Sequence, residues 1–339
     1  MSMRAAVYHG KEDIRLEQIP EPSTPPGSVK VRVAANGLCG TDLHLFYGGA
    51  HPAMTLPVVL GHEFGGEIVE IGEGVDDIGL DDQVAVEPLI PCGDCAQCGD
   101  GDYNLCGRLR VHGFAGAQGG LAELCVAARG NVHRLPDGLT GREGALVEPL
   151  AVAYHAVHQA PLGGSAAIFG AGPIGIGIFL TLQALGSGPL VVVEPSETRR
   201  RALGALGAEH ILDPGAGDAA GAIADLVAGG VEVAFEAAGT GTALGSAIGA
   251  TAPKGTVVVV ATYEQPVTLG AGSLVQGERR LVGSSTYRGD FDPVIQLLAR
   301  GAYQVERWVE RVPMRELVSI ALPRLRAGGA VKLLVEPGA

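Results

Sequence analysis

Four of the six cysteines in this 339-residue chain lie in one short stretch, PCGDCAQCGDGDYNLC. Their spacing, C-x2-C-x2-C-x7-C, lets four thiolates converge on one tetrahedral ion, and four sulfur ligands leave no coordination position open. The pattern therefore predicts a structural zinc ion in a lobe over residues 91–107, held by Cys92, Cys95, Cys98 and Cys106. An iron–sulfur cluster uses similar spacing. Disulfides are a third interpretation, which a reducing compartment disfavours.

A second group of metal-binding residue types is dispersed along the chain. Cys39 lies in GLCGTDLH, His62 in LGHEFGG and Glu148 in EPLAVAYHAV. A mixed set of cysteine, histidine and carboxylate can hold zinc with one position left for water or substrate. Each residue also has a structural interpretation: Cys39 as a small buried apolar residue, His62 as a turn residue, and Glu148 as a carboxylate at a helix N-terminus. Spacing alone does not separate the two interpretations.

A glycine-rich motif, GAGPIG, follows an apolar strand and opens an apolar helix. Glycines let the backbone approach a pyrophosphate, and the helix N-terminus offers unpaired N–H groups. Glu194 ends the next strand, 19 residues after Gly175, where a carboxylate binds ribose hydroxyls and repels a 2′-phosphate. The pattern predicts NAD rather than NADP, although Arg199 is of the type that holds a 2′-phosphate. The alternative is that the glycines only pack helix against strand. The predicted cofactor-binding residues here are Gly170, Gly172, Pro173, Ile174, Gly175, Glu194 and Arg199.

The order of elements predicts an α/β chain with two domains. Up to about residue 152, short β-rich runs alternate with glycine and proline. From about 153, apolar strands alternate with helices, which indicates a doubly wound parallel sheet over residues 153–287. A length of 339 residues suits two domains.

Charge and hydropathy narrow the classes of partner. The net charge is −13, which disfavours a nucleic acid or an anionic membrane surface as partner. We see no run of about 18 apolar residues, so no membrane span is expected. The N-terminal stretch carries charges where a signal peptide needs an apolar run, so we expect a cytoplasmic protein.

Five motifs, in this order, resemble those of the zinc-dependent medium-chain alcohol dehydrogenases: GLCGTDLH, GHEFGGEIVEIGEGV, the four-cysteine lobe, EPLAVAYHAV and GAGPIG. Within that family the chain resembles the polyol branch most. The resemblance implies a GroES-like catalytic domain built from residues 1–152 and 288–339 beside a Rossmann NAD-binding domain. It also implies one catalytic and one structural zinc ion, and hydride transfer between NAD and a secondary alcohol such as a 2,3-butanediol-like diol. Sorbitol- and threonine-type dehydrogenases of the same family are the alternatives.

The resemblance assigns metal-site roles to individual residues. Cys39 and His62 look like ligands of the catalytic zinc. Glu63 and Glu148 compete for the third protein position. Asp42 resembles the carboxylate that orients the ligand histidine.

It assigns the proton path and one more cofactor contact in the same way. Thr41 matches the hydroxyl that passes a proton from the bound alcohol, and His44 matches the next group towards solvent. Lys332 resembles a basic residue that reaches the cofactor pyrophosphate. The stretch YGGAHPAMTLPVVLGHE is shorter than in several butanediol enzymes, which leaves the identity of the alcohol, diol or ketone open.

Other classes of function remain to be weighed. A zinc-free quinone-type reductase lacks the lobe and the Cys39–His62 pair. A non-catalytic zinc protein has no need of the glycine motif.

In the resembled family the strand predicted in ERRLVGSSTY often pairs across a dimer, so we expect a homodimer or homotetramer.

Overall fold

The computed structural model describes residues 1–263 and 265–339, which form two compact units. The first unit consists of Met1–Glu148, Phe291–Arg300 and Val309–Ala339, and the second of Pro149–Asp290 and Gly301–Trp308. The boundaries predicted from sequence, after residue 152 and before residue 288, lie within four residues of two of these crossings. The short return 301–308 to the second unit was not predicted.

Buried contacts explain that return. The Tyr303 hydroxyl lies 3.1 Å from the Thr181 hydroxyl in the interior of the second unit. The indole N–H of Trp308 donates to the Tyr303 carbonyl at 2.9 Å. Two large aromatic side chains thereby hold the segment.

The chain begins with consecutive strands, and strands and helices alternate mainly in its second half. The strands are β1 (Ser2–Gly10), β2 (Asp13–Pro20), β3 (Ser28–Gly37), β4 (Val58–Val59), β5 (Glu63–Ile71), β6 (Gln83–Val86), β7 (Leu89–Ile90), β8 (Arg110–His112), β9 (Gly116–Ala117), β10 (Leu124–Ala128), β11 (Val132–Arg134), β12 (Ala166–Phe169), β13 (Leu190–Val193), β14 (His210–Leu212), β15 (Val231–Glu236), β16 (Thr251–Val259), β17 (Arg280–Gly283), β18 (Val309–Pro313) and β19 (Lys332–Glu336). The α-helices are α1 (Gly40–Leu43), α2 (Ala96–Gly99), α3 (Gly141–Gly144), α4 (Val147–Val157), α5 (Pro173–Ala184), α6 (Glu197–Ala205), α7 (Ala219–Leu226), α8 (Gly241–Ala250), α9 (Ala271–Gly277), α10 (Phe291–Ala299) and α11 (Leu322–Arg326). Short 3₁₀ turns cover Tyr103–Leu105, Arg129–Asn131, Pro214–Ala216, Val305–Arg307 and Met314–Glu316, and π-helical turns cover His44–Gly48 and Leu317–Ala321.

The first unit is built on sheets. Its largest sheet has the order β11-β6-β5-β3-β19-β18, with β10 also paired to β3. Along β3, Val29, Val31 and Val33 are buried at alternate positions, as the two-residue period of a strand requires. The C-terminal strand β19 runs antiparallel to β3, with Leu334 opposite Gly37. The last strand of the chain thus lies beside the end of β3.

The second unit contains one six-stranded sheet in the order β14-β13-β12-β15-β16-β17. Every strand pairing in it is parallel, and strands β12 and β13 are short, buried apolar runs, as a sheet covered on both faces needs. The chain proceeds outwards in one direction from β12 and then in the other from β15. The predicted doubly wound parallel sheet is confirmed, and β17, in the predicted ERRLVGSSTY stretch, is its edge.

Among the helices of residues 1–263 and 265–339, none is both long and apolar enough to cross a membrane.

Candidate active site and zinc lobe

Cys39 stands at the N-terminus of the short helix α1, directly after the end of β3. The backbone N–H of Cys39 donates to Asp42 Oδ2 at 2.9 Å, and the N–H of Asp42 donates to the Cys39 carbonyl at 3.1 Å. The bond from the Cys39 N–H to the Asp42 carboxylate is that of a capping box, in which the side chain of the third helical residue accepts from the N–H of the N-cap. The local sequence C-G-T-D therefore sets the position of the Cys39 thiol.

His62 and Glu63 enter the site at the start of β5, opposite the end of β3. Gly37 pairs with Glu63 across the two strands, and a Cβ added at Gly37 would lie 2.0 Å from Glu63 Oε2. Only glycine at position 37 leaves room for the Glu63 carboxylate. The ligand atoms of Cys39, His62 and Glu63 all lie within 4.8 Å of one another. The structure thus brings together three of the four predicted ligands.

Glu148 is the fourth predicted ligand, and it lies outside that group of three. It is buried in the first turn of α4. Its charge nonetheless acts on His62 and helps raise the pKa of the imidazole. Glu148 therefore belongs to the electrostatic environment of His62.

Two opposing effects set the protonation of the buried pair His62 and Asp42. Burial acts to lower the pKa of His62, but hydrogen bonding to Cys39 and the charge of Asp42 outweigh it, and the pKa lies well above 6.5. Burial raises the pKa of Asp42 above 3.8. Asp42 Oδ1 is buried without a hydrogen-bond partner and lies 4.0 Å from His62 Nδ1. This set of side chains suits zinc: a cysteine, a histidine and the Glu63 carboxylate as ligands, with the Asp42 carboxylate behind the histidine. Zinc binding would displace the protons of the thiol and the imidazolium.

Lys332 lies in this same site. Its side chain is buried, and its Nζ donates to the Leu38 carbonyl at 2.9 Å and to Glu63 Oε2. The sequence predicted a contact between Lys332 and a cofactor pyrophosphate. In the structure, the ammonium neutralises the Glu63 carboxylate beside the cluster of ligand atoms.

The two residues predicted to move protons lie in and just after α1. Thr41 is half-buried, and its Oγ1 lies 3.7 Å from Cys39 Sγ. His44 is exposed and opens the π-helical turn His44–Gly48. One hydroxyl thus lies beside a ligand atom, and one imidazole lies at the surface of the same turn.

The lobe cysteines form a compact cluster of sulfur atoms. The Sγ–Sγ distances are 3.8 Å for Cys92–Cys98, 3.5 Å for Cys95–Cys98, 3.9 Å for Cys95–Cys106 and 3.4 Å for Cys92–Cys106. A tetrahedral ion with Zn–S bonds of about 2.3 Å needs sulfurs about 3.8 Å apart. The four thiols are unpaired, and their separations suit one ion better than a disulfide or a multi-iron cluster.

The surroundings of the lobe act differently on two of its thiols. Desolvation raises the pKa of Cys98 to about 11, whereas backbone N–H groups of Cys92 and Arg108 lower the pKa of Cys106. The Arg108 guanidinium also donates to Cys92 Sγ at 3.2 Å. Antiparallel pairing of β7 with β8 joins the two ends of the lobe at its base. A metal cation at the centre of the cluster would stabilise the thiolate form of all four cysteines.

Removing one lobe cysteine tests this arrangement. We expect Cys98→Ser to lose one zinc ion per chain and to lower Tm by roughly 5 °C or more, because the lobe loses its cross-link. Zinc analysis and thermal unfolding measure both. A folded Cys98→Ser protein with the zinc content and Tm of the wild type would contradict a structural zinc here.

The glycine motif adopts the tight turn that its sequence predicts. Gly170 has φ of 98°, in the left-handed region that favours glycine. A Cβ at Gly175 would lie 1.9 Å from the Gly170 carbonyl oxygen, so helix and strand approach too closely for a side chain. Gly172 is the N-cap of α5, and Pro173 and Ile174 form its first turn. The N–H groups of the helix start are therefore presented beside the loop.

Glu194 is buried at the carboxyl end of β13. Its Oε2 accepts a hydrogen bond from the Ala171 N–H at 2.6 Å, and its Oε1 accepts one from the Ser196 N–H at 2.7 Å. Arg199 Nη1 lies 3.7 Å from Glu194 Oε2. The carboxylate thus joins the glycine loop to the next βα turn, and the arginine predicted as a 2′-phosphate contact lies against it.

Glu194 gives a test of cofactor preference. We expect Glu194→Ser to lower the ratio of kcat/KM for NAD to that for NADP by at least about tenfold, because the anion that repels a 2′-phosphate is gone and Arg199 is freed. Steady-state kinetics with both cofactors measure the ratio. A wild-type protein that already prefers NADP would contradict this role of Glu194.

Sequence reasoning did not single out Gly37 or Arg108. Gly37 lies two residues before Cys39 in NGLCG, and its need for glycine arises only when β5 pairs with β3. Arg108 follows the last lobe cysteine by two residues. This closeness in sequence is the feature that could have indicated a guanidinium beside the cysteine sulfurs.

Comparisons with known proteins cover both units. The family described as alcohol dehydrogenase GroES-like domain matches residues 25–137, and the family described as zinc-binding dehydrogenase matches residues 173–300. The chain is 38% identical over 350 residues to (R,R)-butanediol dehydrogenase of Bacillus subtilis (strain 168), covering 99% of this chain and 100% of that protein. It is 33% identical over 340 residues to sorbitol dehydrogenase of Bombyx mori, covering 98% and 97%.

One solved structure matches the chain over nearly its whole length. It is described as a zinc-binding dehydrogenase from Sinorhizobium meliloti 1021 bound to NADP, and it matches with a TM-score of 0.94 at 33% identity, covering 99% of this chain and 100% of that one. The matches confirm the predicted fold class, a GroES-like β-rich domain with a Rossmann-type sheet.

Proposed function

This chain belongs to the zinc-dependent medium-chain alcohol dehydrogenases and is an enzyme with zinc and NAD as cofactors; from this premise we propose that it transfers hydride between NAD and a vicinal diol of the 2,3-butanediol type. The relatives named for butanediol support the diol. Zinc supplies a Lewis acid that favours ionisation of the alcohol, and NAD accepts the hydride. The remaining work of binding, orientation and proton transfer falls to side chains of this chain.

The observation that carries the proposal is the convergence of Cys39, His62 and Glu63, whose ligand atoms lie within 4.8 Å of one another. We assign these three as the protein ligands of the catalytic zinc. A zinc ion held by these three residues would supply Lewis-acid chemistry to the substrate alcohol. Glu148 acts through its charge on His62. Asp42 orients the imidazole from 4.0 Å.

Proton transfer falls to the turn that follows Cys39. Thr41 Oγ1, 3.7 Å from the Cys39 sulfur, relays the proton of the alcohol: it takes that proton while its own hydroxyl proton moves on towards His44. His44, at the surface, passes it to solvent.

The two units take the two remaining roles. We propose that the first unit is the catalytic domain, with the lobe over 91–107 holding a structural zinc, and that the second binds NAD through Gly170, Gly175 and Glu194. NAD is the preferred cofactor because the Glu194 carboxylate is buried beside the loop, where a 2′-phosphate would meet it. Lys332 stays a predicted pyrophosphate contact, and its Nζ is bonded to Glu63 in the structure.

The proposals for assembly and location rest on an exposed sheet edge and on the cysteines. Strand β17 is a sheet edge, and the nearby side chains of Val275 and Leu281 are 77% and 38% exposed. We propose that this edge pairs with a second copy, which light scattering of the purified protein tests.

The unpaired cysteines favour a reducing, cytoplasmic location, which cell fractionation tests.

The substrate is tested with a panel of alcohols. We expect kcat/KM with NAD to be highest for a stereoisomer of 2,3-butanediol, lower for hexitols and lowest for threonine, with two zinc ions bound per chain. Reduction of the corresponding hydroxyketone with NADH should also occur. A preference for hexitols would replace the diol by a sorbitol-type substrate, and a zinc-free active protein would overturn the proposal.

A further inference from the structure

Glu236 is a fully buried carboxylate at the carboxyl end of β15. Its Oε1 accepts hydrogen bonds from the backbone N–H groups of Ala238 at 2.9 Å and Gly239 at 2.8 Å. Its Oε2 accepts one from the Tyr263 hydroxyl at 2.5 Å. These three donors are uncharged, so burying the carboxylate carries a cost that a purely structural turn has no need to bear.

The place of Glu236 in the sheet links it to the cofactor loop. A doubly wound sheet binds its ligand outside the carboxyl ends of the strands, where the strand order reverses. That reversal lies between β12 and β15, and Phe169 and Glu236 are register partners at its end. A Cβ at Gly170 would lie 3.0 Å from the Ala238 nitrogen. The loop after Glu236 therefore packs directly against the first glycine of the motif.

The two halves of the sheet lie next to different ends of a bound dinucleotide. Glu194 and the glycine loop belong to the half built on β12 to β14, which holds the adenosine end of a dinucleotide. Glu236 begins the loop of the other half, built on β15 to β17, which lies next to the other nucleotide.

Glu236 also joins two loops of that second half. Its backbone carbonyl accepts a hydrogen bond from the Val260 N–H at 2.9 Å, beyond the end of β16. Its side chain binds Tyr263 in the same segment. Burial and the Glu236 carboxylate both raise the pKa of Tyr263, so the phenol keeps its proton and stays a donor. One residue thus determines the position of both loops.

We infer that Glu236 is a positioning residue for the nicotinamide nucleotide of NAD, acting through the loop of Ala238 and Gly239 and through Tyr263. The inference rests on the proposed use of NAD. It predicts that loss of the Glu236 carboxylate weakens binding of the whole dinucleotide but not of its adenosine half. AMP, which occupies only the adenosine half, is the probe for that half.

The experiment measures Kd for NAD and for AMP by calorimetry on the zinc-loaded protein, together with kcat and KM. We expect Glu236→Ala to raise Kd for NAD at least tenfold and Kd for AMP less than twofold. Tyr263→Phe should raise Kd for NAD less, and Glu236→Gln should restore part of the affinity because an amide oxygen still accepts from the backbone. Glu232→Ala, at the exposed start of the same strand, is the matched control and should change neither value.

Each outcome is decisive for one statement. Equal weakening of NAD and AMP in the Glu236 variants, or unchanged binding of both, overturns the inference. If Glu236→Ala does not fold, Glu236→Gln and Tyr263→Phe give the same comparison. A wild-type protein that does not bind NAD overturns the proposed function itself, which distinguishes the two failures.

Discussion

We expect Cys39→Ser to lower kcat/KM by at least about a thousandfold, because Cys39 is one of the three proposed ligands of the catalytic zinc and the metal supplies several kcal/mol of stabilisation in the reaction. The zinc content falls by one ion per chain, since the lobe cysteines are untouched. NAD binding persists, because the residues of the glycine loop and Glu194 lie in the other unit. Zinc analysis, calorimetry with NAD and steady-state kinetics measure the three quantities.

Cys125 provides the control for this experiment. It is buried in the same unit and belongs to neither cluster of ligands. Cys125→Ala should keep both zinc ions and most of the activity. Full activity or full zinc content in Cys39→Ser would contradict the assignment of Cys39 as a ligand.

Replacing Lys332 with methionine destabilises the metal-free protein by about 3–5 kcal/mol, because the Glu63 carboxylate is left buried without its cation. The side chains of Lys332 and Glu63 are only 1% and 2% exposed, so water does not compensate. In the zinc-loaded protein the loss is smaller, since the metal offers Glu63 another positive charge. Urea unfolding of the metal-free and zinc-loaded proteins measures both values.

Two further variants make this result specific. Glu63→Gln combined with Lys332→Met removes both charges and should recover most of the stability of the metal-free protein. Lys254 and Glu278 form an exposed pair, 3.9 Å apart with side chains 81% and 76% exposed. Lys254→Met should therefore leave stability nearly unchanged. Equal effects of Lys332→Met and Lys254→Met would show that the buried pair is not what matters.

Structural features that depend only on residues close together in sequence were predictable from the sequence. The four lobe cysteines lie within 15 residues, and short loops between them allow the sulfurs to converge without a distant partner. The glycine motif is also a local feature. Position 175 must be glycine because a side chain there would collide with the carbonyl oxygen of Gly170, five residues earlier. The alternation of apolar strands with helices predicted the parallel sheet, since each element is defined by its own period.

The choice among metal ligands could not be predicted in this way. Residues in sequence order leave Glu63 and Glu148 equivalent, and only the pairing of β5 with β3 brings Glu63 beside Cys39. The position of Glu236 could not be predicted from the sequence either. It lies beside the glycine loop because β15 is the neighbour of β12 in the sheet.

The sequence by itself determined the fold class, the four-cysteine cluster and the dinucleotide loop, because each depends on neighbours a few residues apart. Only the tertiary structure decided the partners of the buried charges. Lys332 and Glu63 are 269 residues apart in sequence, yet they are bonded in the structure. They meet because β19 and β5 lie on either side of β3, and the absent side chain of Gly37 leaves the space in which the carboxylate lies.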